Sequence, residues 1–403
     1  MNASPRVALF FAFGLILIGF VLPPSVNAQT HVLAWGSNTF GQCDVPSPDT
    51  DIVKVSAGYF HNVGLRSDST LVAWGDNSVG QCAAPAGSNY VAIAAGGYHT
   101  LALRSDHSII AWGYNGSGQC NVPSDSDFVA VAAGQYHSLA LRSDGSIVAW
   151  GDNGYGQCDV PTSSPGFIAI AACYLHSLGL RADHTLAAWG NNADGQCNVP
   201  DGSTYSAIAG GAYHSLALRS DGSVVAWGAN RDGQCSVPAT GQAFTAIAAG
   251  FSHSLGILSD DRAIAWGWNG LGQCDVPTGA SFAAIAGGQF HSLGIADESS
   301  ALPWDDALAG AEGSGRPVIR AITPNPSADG TRVSFELAPA ADVLARLYDS
   351  QGRLIRTLSG EEAQRGIFWD GRDDAGRPAP SGSYMLRLTS AQGSSSCRIL
   401  RMR

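Results

Sequence analysis

Short apolar runs alternate with turn residues along most of the chain, and the same order of runs returns every 38 or 39 residues. One copy contains Val-Val-Ala-Trp-Gly from Val224, Phe-Thr-Ala-Ile-Ala-Ala from Phe244 and a third run from His253. Each run is short and bounded by Gly, Asp or Pro, and none has a helical period. The pattern predicts an all-β repeat of three strands. A fourth, outer strand around Gly-Gln-Cys-x-Val-Pro is the alternative.

A Trp-Gly pair marks each copy of the repeat. A Cys inside Gly-Gln-Cys follows each Trp by eight residues, a Pro follows each Cys by three, and a His follows each Trp by 25 or 26. Such a period is typical of solenoids, propellers and arrays, and a ring of small sheets hides most strand edges. Seven copies predict a seven-bladed β-propeller with mostly three-stranded blades over residues 29–304. The repeated tryptophans are Trp35, Trp74, Trp112, Trp150, Trp189, Trp227 and Trp266.

Strand direction places two families of loops on one face of this propeller. If the strand ending in Ala-Ala-Gly runs upward, the Gly-x-aromatic-His turn lies at the top. The His strand then runs down to a Ser-Asp-Gly-Ser turn such as Ser220–Ser223, which is a strong hairpin signal. The Trp-Gly strand runs up again, so the Trp-Gly-x-Asn-x-x-Gly-Gln loop also lies at the top. We call this side the top face.

Ring closure has two candidate strands. Residues 31–36 match the Trp-Gly motif, whereas residues 301–304 carry a Trp at the right distance from His291 but also Pro303, which cannot donate to a β-ladder. We therefore predict that the N-terminal strand completes the last blade.

Both ends of the chain differ from the repeats. Residues 1–28 have the composition of a secretory signal peptide with cleavage after Ala28, and an uncleaved anchor is the alternative. No later segment is apolar for long enough to span a membrane. Residues 305–316 form a Gly- and Ala-rich linker, and about seven strands in residues 317–403 predict a small Ig-like β-sandwich. Within it, the acidic stretch from Asp370 lacks the spaced oxygen ligands of a calcium loop and predicts a turn.

The repeat resembles a known family. Ala-Trp-Gly-x-Asn-x-x-Gly-Gln followed by Gly-x-Tyr-His-Ser-Leu-Ala-Leu is similar to the regulator-of-chromosome-condensation repeat, and the short unit with Gly-Gln-x-x-Val-Pro is most similar to its compact bacterial secreted branch. That branch includes the propeller-type β-lactamase inhibitory protein. The resemblance covers about two-thirds of the chain and implies a seven-bladed protein-binding platform. The nucleotide-exchange activity of the nuclear members is not implied, because this chain carries an export signal and lacks basic character.

The C-terminal segment resembles a second family. Pro324-Asn-Pro, Leu347-Tyr-Asp-x-x-Gly-Arg-x-Ile-Arg, Trp369-Asp-Gly-Arg-Asp and Ser381-Gly-x-Tyr are similar to the Ig-like domain of flagellar-hook capping proteins and to the C-terminal sorting domain of type IX secretion substrates. The resemblance implies bacterial export across an outer membrane and surface attachment. A plain sandwich spacer is the alternative.

The invariant polar residues of the repeat predict structure rather than catalysis. Equivalent cysteines on seven blades, at a radius of roughly 12 Å or more, lie beyond the ~7 Å Cα limit of a disulfide, so we expect buried thiols that act as small apolar groups. The histidine and asparagine are identical in every copy, whereas a catalytic site needs asymmetry. We expect each His to bond a backbone group of its own turn and each Asn to bond its own loop. No cofactor or metal is implied.

Function is expected where the repeats differ. The variable positions of the top-face loops and the residues before each His are rich in Tyr, Trp, Phe and Arg, the composition of a binding hot spot. The alternative for these rings is partial burial against a neighbouring blade. The candidate contacts are Phe40, Tyr114, Tyr155, Trp268, Leu271 and Arg231 in the loops, with Phe60, Tyr98, Tyr136, Tyr213 and Phe290 before the histidines.

These observations predict a secreted or surface-displayed, non-enzymatic propeller that binds a protein partner. The net charge of −11 and the lack of a basic run disfavour a nucleic-acid partner, because phosphate contacts need clustered Lys and Arg. A glycan-binding lectin is one alternative, since exposed rings also stack on sugars. A propeller lyase or hydrolase is another, and it would need an asymmetric cluster of His, Glu or Asp that the sequence does not show.

Overall fold

A computed structural model defines the fold, and the chain divides into two units, residues 1–300 and 301–403. The expected leader with its cleavage site at Ala28, the linker 305–316 and the alternative closing segment 301–304 lie outside the described residues. The structure describes residues 30–47, 49–162, 166–202, 204–297, 318–323, 331–336, 344–349, 354–358, 367–380, 382–390 and 393–401.

The first unit contains seven three-stranded antiparallel sheets, each one repeat in length. The innermost strands contact their counterparts in the neighbouring sheets around a ring, which makes the sheets the blades of a propeller. The fourth, outer strand is not formed in the described repeats. The inner strands are β2 (Ile52–Ala57), β5 (Tyr90–Ala95), β8 (Phe128–Ala133), β11 (Phe167–Ala172), β14 (Tyr205–Gly210), β17 (Phe244–Ala249) and β20 (Phe282–Gly287).

The middle strand of every blade begins at the repeated His, and the outer strand ends at the repeated Trp-Gly. The middle strands are β3 (His61–Arg66), β6 (His99–Arg104), β9 (His137–Arg142), β12 (His176–Arg181), β15 (His214–Arg219), β18 (His253–Leu258) and β21 (His291–Asp297). The outer strands are β1 (Thr30–Gly36), β4 (Leu71–Gly75), β7 (Ile109–Gly113), β10 (Ile147–Gly151), β13 (Leu186–Gly190), β16 (Val224–Gly228) and β19 (Ala263–Gly267).

The N-terminal strand closes the ring, as the sequence predicts. Strand β1 pairs with β21 in register from Thr30 opposite Asp297 to Gly36 opposite His291. The indole Nε1 of Trp35 donates to the carbonyl of Gln273 at 2.9 Å, the same contact that each other repeat tryptophan makes with the preceding repeat. The first and last repeats are therefore joined like any other neighbours.

The core lies between the blades. Leu139 and Leu141 of one blade pack with Phe167 and Trp189 of the next, and similar clusters of buried residues separate other neighbouring blades. The glycine after each Trp has a geometric reason: Gly75 has a φ of +98°, and a Cβ there would lie 2.4 Å from the carbonyl oxygen of Phe60. The sequence expectation that the tryptophans pack between blades is confirmed.

A cysteine and a glycine in neighbouring blades depart together from the repeat pattern of the inner ring. Cys173 stands where the other blades have Gly, and its Sγ occupies the place of a side chain on Gly210, where a Cβ would come within 1.9 Å of the sulfur. Most other blades carry Ala at the position of Gly210, as at Ala95 opposite Gly58. The cysteine and the glycine are therefore complementary in size.

This complementarity makes a testable double-mutant cycle. Gly210→Ala is expected to destabilise the protein by about 1–3 kcal/mol because the new methyl group meets the Cys173 sulfur. In the Cys173→Gly background the same change should cost little, since that pair restores the pattern of the other blades. Urea unfolding of the four proteins measures the coupling, and additive effects would contradict the contact.

The second unit contains two antiparallel sheets. The described residues of this unit contain seven strands, the number expected for an Ig-like domain: β22 (Val318–Thr323), β23 (Thr331–Glu336), β24 (Leu344–Asp349), β25 (Leu354–Leu358), β26 (Ile367–Trp369), β27 (Gly382–Ser390) and β28 (Gly393–Arg401). One sheet has the strand order β22, β23, β26, and the other has the order β25, β24, β27, β28.

Candidate functional site

The seven repeat histidines join neighbouring blades. His137 Nε2 lies 3.0 Å from Ser177 Oγ on the next blade, and that hydroxyl donates to the carbonyl of Gln157 at 2.9 Å. Because the hydroxyl proton is used on the carbonyl, the histidine must be the donor through Nε2–H. The same relay occurs at every blade junction and ends with His291 bonded to Asn62. The expectation of a backbone partner in the same turn is wrong, because Nε2 points across the blade junction.

Burial keeps these imidazoles neutral. All seven are fully buried, and burial lowers the pKa of His61 to about 4 and that of His99 to about 3. Each Nδ1 lies buried without a hydrogen-bond partner among the described residues. The histidines are therefore buried side chains that bond neighbouring blades to each other in all seven copies.

The loop polar residues also have structural roles. Asn153 Oδ1 accepts the backbone N–H of Cys158 at 2.8 Å, and each other repeat makes the same contact, which confirms that the asparagines bond their own loops. The Cys158 thiol donates to the carbonyl of Asp152 at 3.3 Å. The repeat thiols are half-buried rather than fully buried, and burial raises the pKa of Cys82 to about 12. They are therefore protonated thiols with a local hydrogen bond.

The top face is built as strand parity predicts. The backbone N–H of Asp76, directly after a Trp-Gly strand, donates to the carbonyl of Phe60, directly before a His, at 2.8 Å. Corresponding bonds join the two loop families in all seven blades. The variable loop residues and the residues before the histidines are therefore held on one face.

Three rings that the sequence reasoning missed form the centre of this face. Tyr59 stacks on Tyr174 with ring centroids 5.9 Å apart, and Phe251 meets both edge-on at 6.2 and 5.4 Å. All three stand two residues before a His, in different blades. They line the upper end of a central channel with a volume of about 280 Å³, whose wall is made by the small residues of the inner strands. The sequence did contain a signal for them: the residue two positions before the histidine varies between Tyr, Phe, Gly, Ala and Gln among the repeats.

Ring contacts extend from this centre to the rim. On one side Tyr59 contacts Tyr98, which stacks on Tyr136 at 6.0 Å, and Tyr114 packs on Tyr136 at 5.8 Å. The structure therefore brings three loop rings, Phe40, Tyr114 and Trp268, and the rings before the histidines into one aromatic surface, whereas Tyr155 makes none of these ring contacts. Phe251 contacts Phe290, Phe290 contacts Trp268 and Phe60, Phe60 contacts Phe40, and Tyr174 contacts Tyr213.

The predicted contacts differ in exposure. Tyr155, Leu271 and Phe40 are 55%, 49% and 47% exposed, and Tyr114 is also exposed. Trp268 is half-buried, as are the rings before the histidines, so these expose only part of each ring. Arg231 is 85% exposed in its side chain and lies 3.3 Å from the carboxylate of Asp194.

Metal-binding geometry is not present in the described residues. No group of three or more His, Cys, Asp or Glu side chains in the described ranges has the arrangement of a metal site. In the second unit, Asp373 accepts the backbone N–H groups of Ala375 and Arg377, and Arg356 pairs with Asp370. The acidic stretch therefore forms a turn, as predicted.

The architecture defines a β-propeller protein with an appended Ig-like β-domain. Six repeats match the regulator of chromosome condensation (RCC1) repeat, at residues 52–81, 90–119, 128–157, 167–196, 205–234 and 244–273. Residues 321–394 match the FlgD Ig-like domain. The chain is thus an RCC1-repeat propeller followed by a FlgD-type Ig-like domain.

Solved structures with the same fold are distant in sequence. Prp20p from Saccharomyces cerevisiae, whose binding to Gsp1p and histones has been characterised, is 19% identical over 67% of this chain and 92% of its own, with a TM-score of 0.58. Human WBSCR16 is 18% identical over 66% of this chain and 98% of its own, with a TM-score of 0.57. These likenesses show the fold.

Two curated relatives share a short stretch with this chain. The basal-body rod modification protein FlgD of Salmonella typhimurium is 38% identical over 58 residues, 14% of this chain. The match spans only 25% of that protein's length, and the same holds for FlgD of Salmonella typhi. The described residues contain no helix that is long and apolar enough to cross a membrane.

Proposed function

We propose that this protein is a secreted or surface-displayed, non-enzymatic binding module whose top face holds a protein partner. The observation that carries the proposal is the continuous aromatic surface that runs from Tyr59 and Tyr174 at the channel mouth to exposed rings at the rim. Aromatic side chains in such a cluster dominate the energy of protein interfaces. The RCC1-type fold supports this reading, since it is commonly used for protein binding and is generally non-catalytic.

The mechanism of binding is burial of rings on a rigid scaffold. The top loops are fixed by three kinds of bond: the Asn side chain to the Cys N–H, the Cys thiol to a carbonyl, and the loop N–H to the turn before the His. Loops that are ordered before binding lose little conformational entropy when the partner arrives. The free energy of ring burial is therefore retained in the affinity.

The C-terminal domain is proposed to serve export or attachment. The support is its match to a FlgD Ig-like domain beside an N-terminal segment with signal-peptide composition. The propeller would then be displayed to partners outside the cell. The test is fractionation of cells that express either the full chain or a chain that ends before residue 317. Retention of the shortened chain inside the cell is expected, and its normal export would contradict the proposal.

The binding proposal predicts a large effect of three ring deletions. In a pull-down from secreted and cell-surface extracts, the variant Tyr114→Ala, Tyr155→Ala, Trp268→Ala should bind the partner about 100-fold more weakly or not at all, because rim anchors are lost. Val91→Ala, which shortens an exposed apolar side chain on β5 away from the top loops, is the matched control and should bind normally. If the triple variant captures the partner as well as the wild type does, the top-face site is contradicted.

A glycan-binding lectin is the second candidate, favoured by the exposed rings of Tyr114 and Tyr155. A glycan panel probed with the wild type and the same triple variant separates the two functions. Ring-dependent glycan binding without a protein partner would replace the first proposal by the second.

A further inference from the structure

The aromatic surface of the top face has two chemically different halves. The phenylalanine half is apolar and consists of Phe40, Phe60, Phe251, Trp268 and Phe290, which contact one another in a chain. The tyrosine half is defined by the chain Tyr59, Tyr98, Tyr136 and Tyr114. Its rings carry hydroxyl groups, so this half is more polar than the phenylalanine half.

Two oriented carboxylates border the tyrosine half. Asp76 and Asp152 each follow a Trp-Gly strand, and each Oδ2 accepts the side-chain N–H of a buried glutamine at 2.7 Å. The backbone N–H of Asp152 donates to the carbonyl of Tyr136. Both carboxylates are half-buried and held in place by these bonds, and the loop of Asp76 is joined to the turn of Phe60, at the border of the tyrosine half.

The top loops have almost no positive charge. The seven loops that follow the Trp-Gly strands carry seven carboxylates and one guanidinium in the described residues, a net charge of −6. The single lysine of the chain, Lys54, lies on inner strand β2 and donates to the carbonyl of Val91. The loop charges are Asp44, Asp76, Asp152, Asp159, Asp194, Asp232 and Asp275, with Arg231.

The one guanidinium shows what this surface accommodates. Arg231 lies 3.3 Å from Asp194, and the backbone N–H of Ala229, at the start of the same loop, donates to the carbonyl of Tyr213, one of the rings before the histidines. The chain thus pairs its own arginine with a carboxylate in a loop that is bonded to a tyrosine turn. The tyrosine half repeats the carboxylate and the tyrosines, and no cation of the described top loops pairs with Asp76 or Asp152.

We propose that the tyrosine half binds arginine side chains of the protein partner. A guanidinium stacks on an aromatic face and pairs with a carboxylate in the same plane, which matches stacked tyrosines flanked by Asp76 and Asp152. The phenylalanine half takes the apolar part of the same partner, so the two halves fix its orientation. This inference rests on the proposed function, since it specifies the partner of the same face.

The test uses the full chain and a pair of synthetic probes. One is a short peptide of alternating arginine and serine, and the other has glutamine at every arginine position; binding is measured by fluorescence anisotropy at low salt. The arginine peptide should bind and the glutamine peptide should not. The double variant Asp76→Asn, Asp152→Asn should weaken binding by about tenfold, because each lost carboxylate removes a cation contact. Asn191 already fills this position in another blade and accepts the same glutamine bond, so the variant should fold.

A charge-matched control excludes general attraction to an acidic protein. Asp106→Asn, Asp144→Asn removes two carboxylates from the opposite face, where each accepts a backbone N–H that an amide oxygen can also accept. This control should change binding by less than about twofold. Equal losses in the two double variants, or no binding of the arginine peptide, would overturn the inference.

The two proposals fail in different ways. A partner that is lost by the triple ring variant but kept by Asp76→Asn, Asp152→Asn would overturn the arginine inference and leave the top-face function intact. A partner kept by the triple ring variant would remove the proposed function itself.

Discussion

A chain that begins at residue 37 should yield no stably folded propeller. The deletion removes strand β1, the third strand of the closing blade, with all seven of its register pairs to β21. It also removes Trp35 and Val32, which are buried, and uncovers Leu293 and Ile295, which are fully buried in the same blade. Loss of a buried Trp alone costs about 3–5 kcal/mol, and the total stability of a domain is about 5–15 kcal/mol. Circular dichroism and tryptophan fluorescence on refolded protein measure the outcome.

The control for this deletion is a chain that begins at residue 30. It keeps the complete ladder and should unfold like the longer chain, whereas Trp35→Ala should give an intermediate loss because the strand remains. A chain from residue 37 with an unchanged unfolding midpoint would show that another segment closes the ring. Residues 301–304 are the alternative in the sequence, so deleting them as well would then cause the loss.

The repeat made most of the propeller predictable from the sequence. The repeat length predicted one blade per repeat, and the position of each turn predicted the direction of each strand. The Asp-Gly hairpins at the lower face are an example. Gly145 and Gly222 have φ values of +82° and +79°, where glycine is favoured, so the glycine in the sequence shows where the chain turns. Closure by β1 was predictable for a similar reason, because a ladder needs backbone donors and residues 31–36 contain no proline.

Contacts between blades were harder to predict than contacts within them. A period relates each residue to its own copy, but it does not say which side chains meet across a junction. For the histidines, Nε2 bonds the residue after the next histidine, about 39 positions away. The signal was present, since a hydroxyl or amide residue follows each repeat histidine from Asn62 to Ser292, but only blade packing explains it.

The centre of the candidate site was missed for the same reason. Tyr59 and Tyr174 are far apart in sequence, and they stack because inner-strand turns from all blades converge on the channel mouth. The surrounding rings, such as Tyr98 and Tyr136, directly precede a histidine and were predicted. The rings that connect them stand one position earlier and were not. A position near the ring axis lies close to its counterparts in several blades. A change of residue there therefore alters a surface that those blades share.

Acidification should unfold the propeller within a narrow pH range. Burial lowers the pKa of all seven repeat histidines from 6.5 to about 3 or 4. Because the pKa is lower in the folded state, the stabilising contribution of neutral histidine is complete above pH 6.5 and is lost as the pH falls toward 4. Each histidine then costs about 1.4 kcal/mol per pH unit, so seven give a slope of about 10 kcal/mol per unit below pH 6.

The measurement is the free energy of urea unfolding from pH 7.5 down to the acid midpoint, followed by tryptophan fluorescence. We expect an uptake on unfolding that rises toward about seven protons below pH 6, obtained from the slope, and an unfolding midpoint between about pH 5 and 6 without urea. His107→Asn is the matched control: His107 is exposed in a turn with φ +64°, where Asn is tolerated, and the slope should stay the same. His253→Gln should lower the slope by about one proton, since it removes one buried imidazole. An uptake of one or two protons in the wild type would mean that the buried ring titrates in the folded protein, which its burial and hydrogen bonds to neighbouring hydroxyl groups oppose.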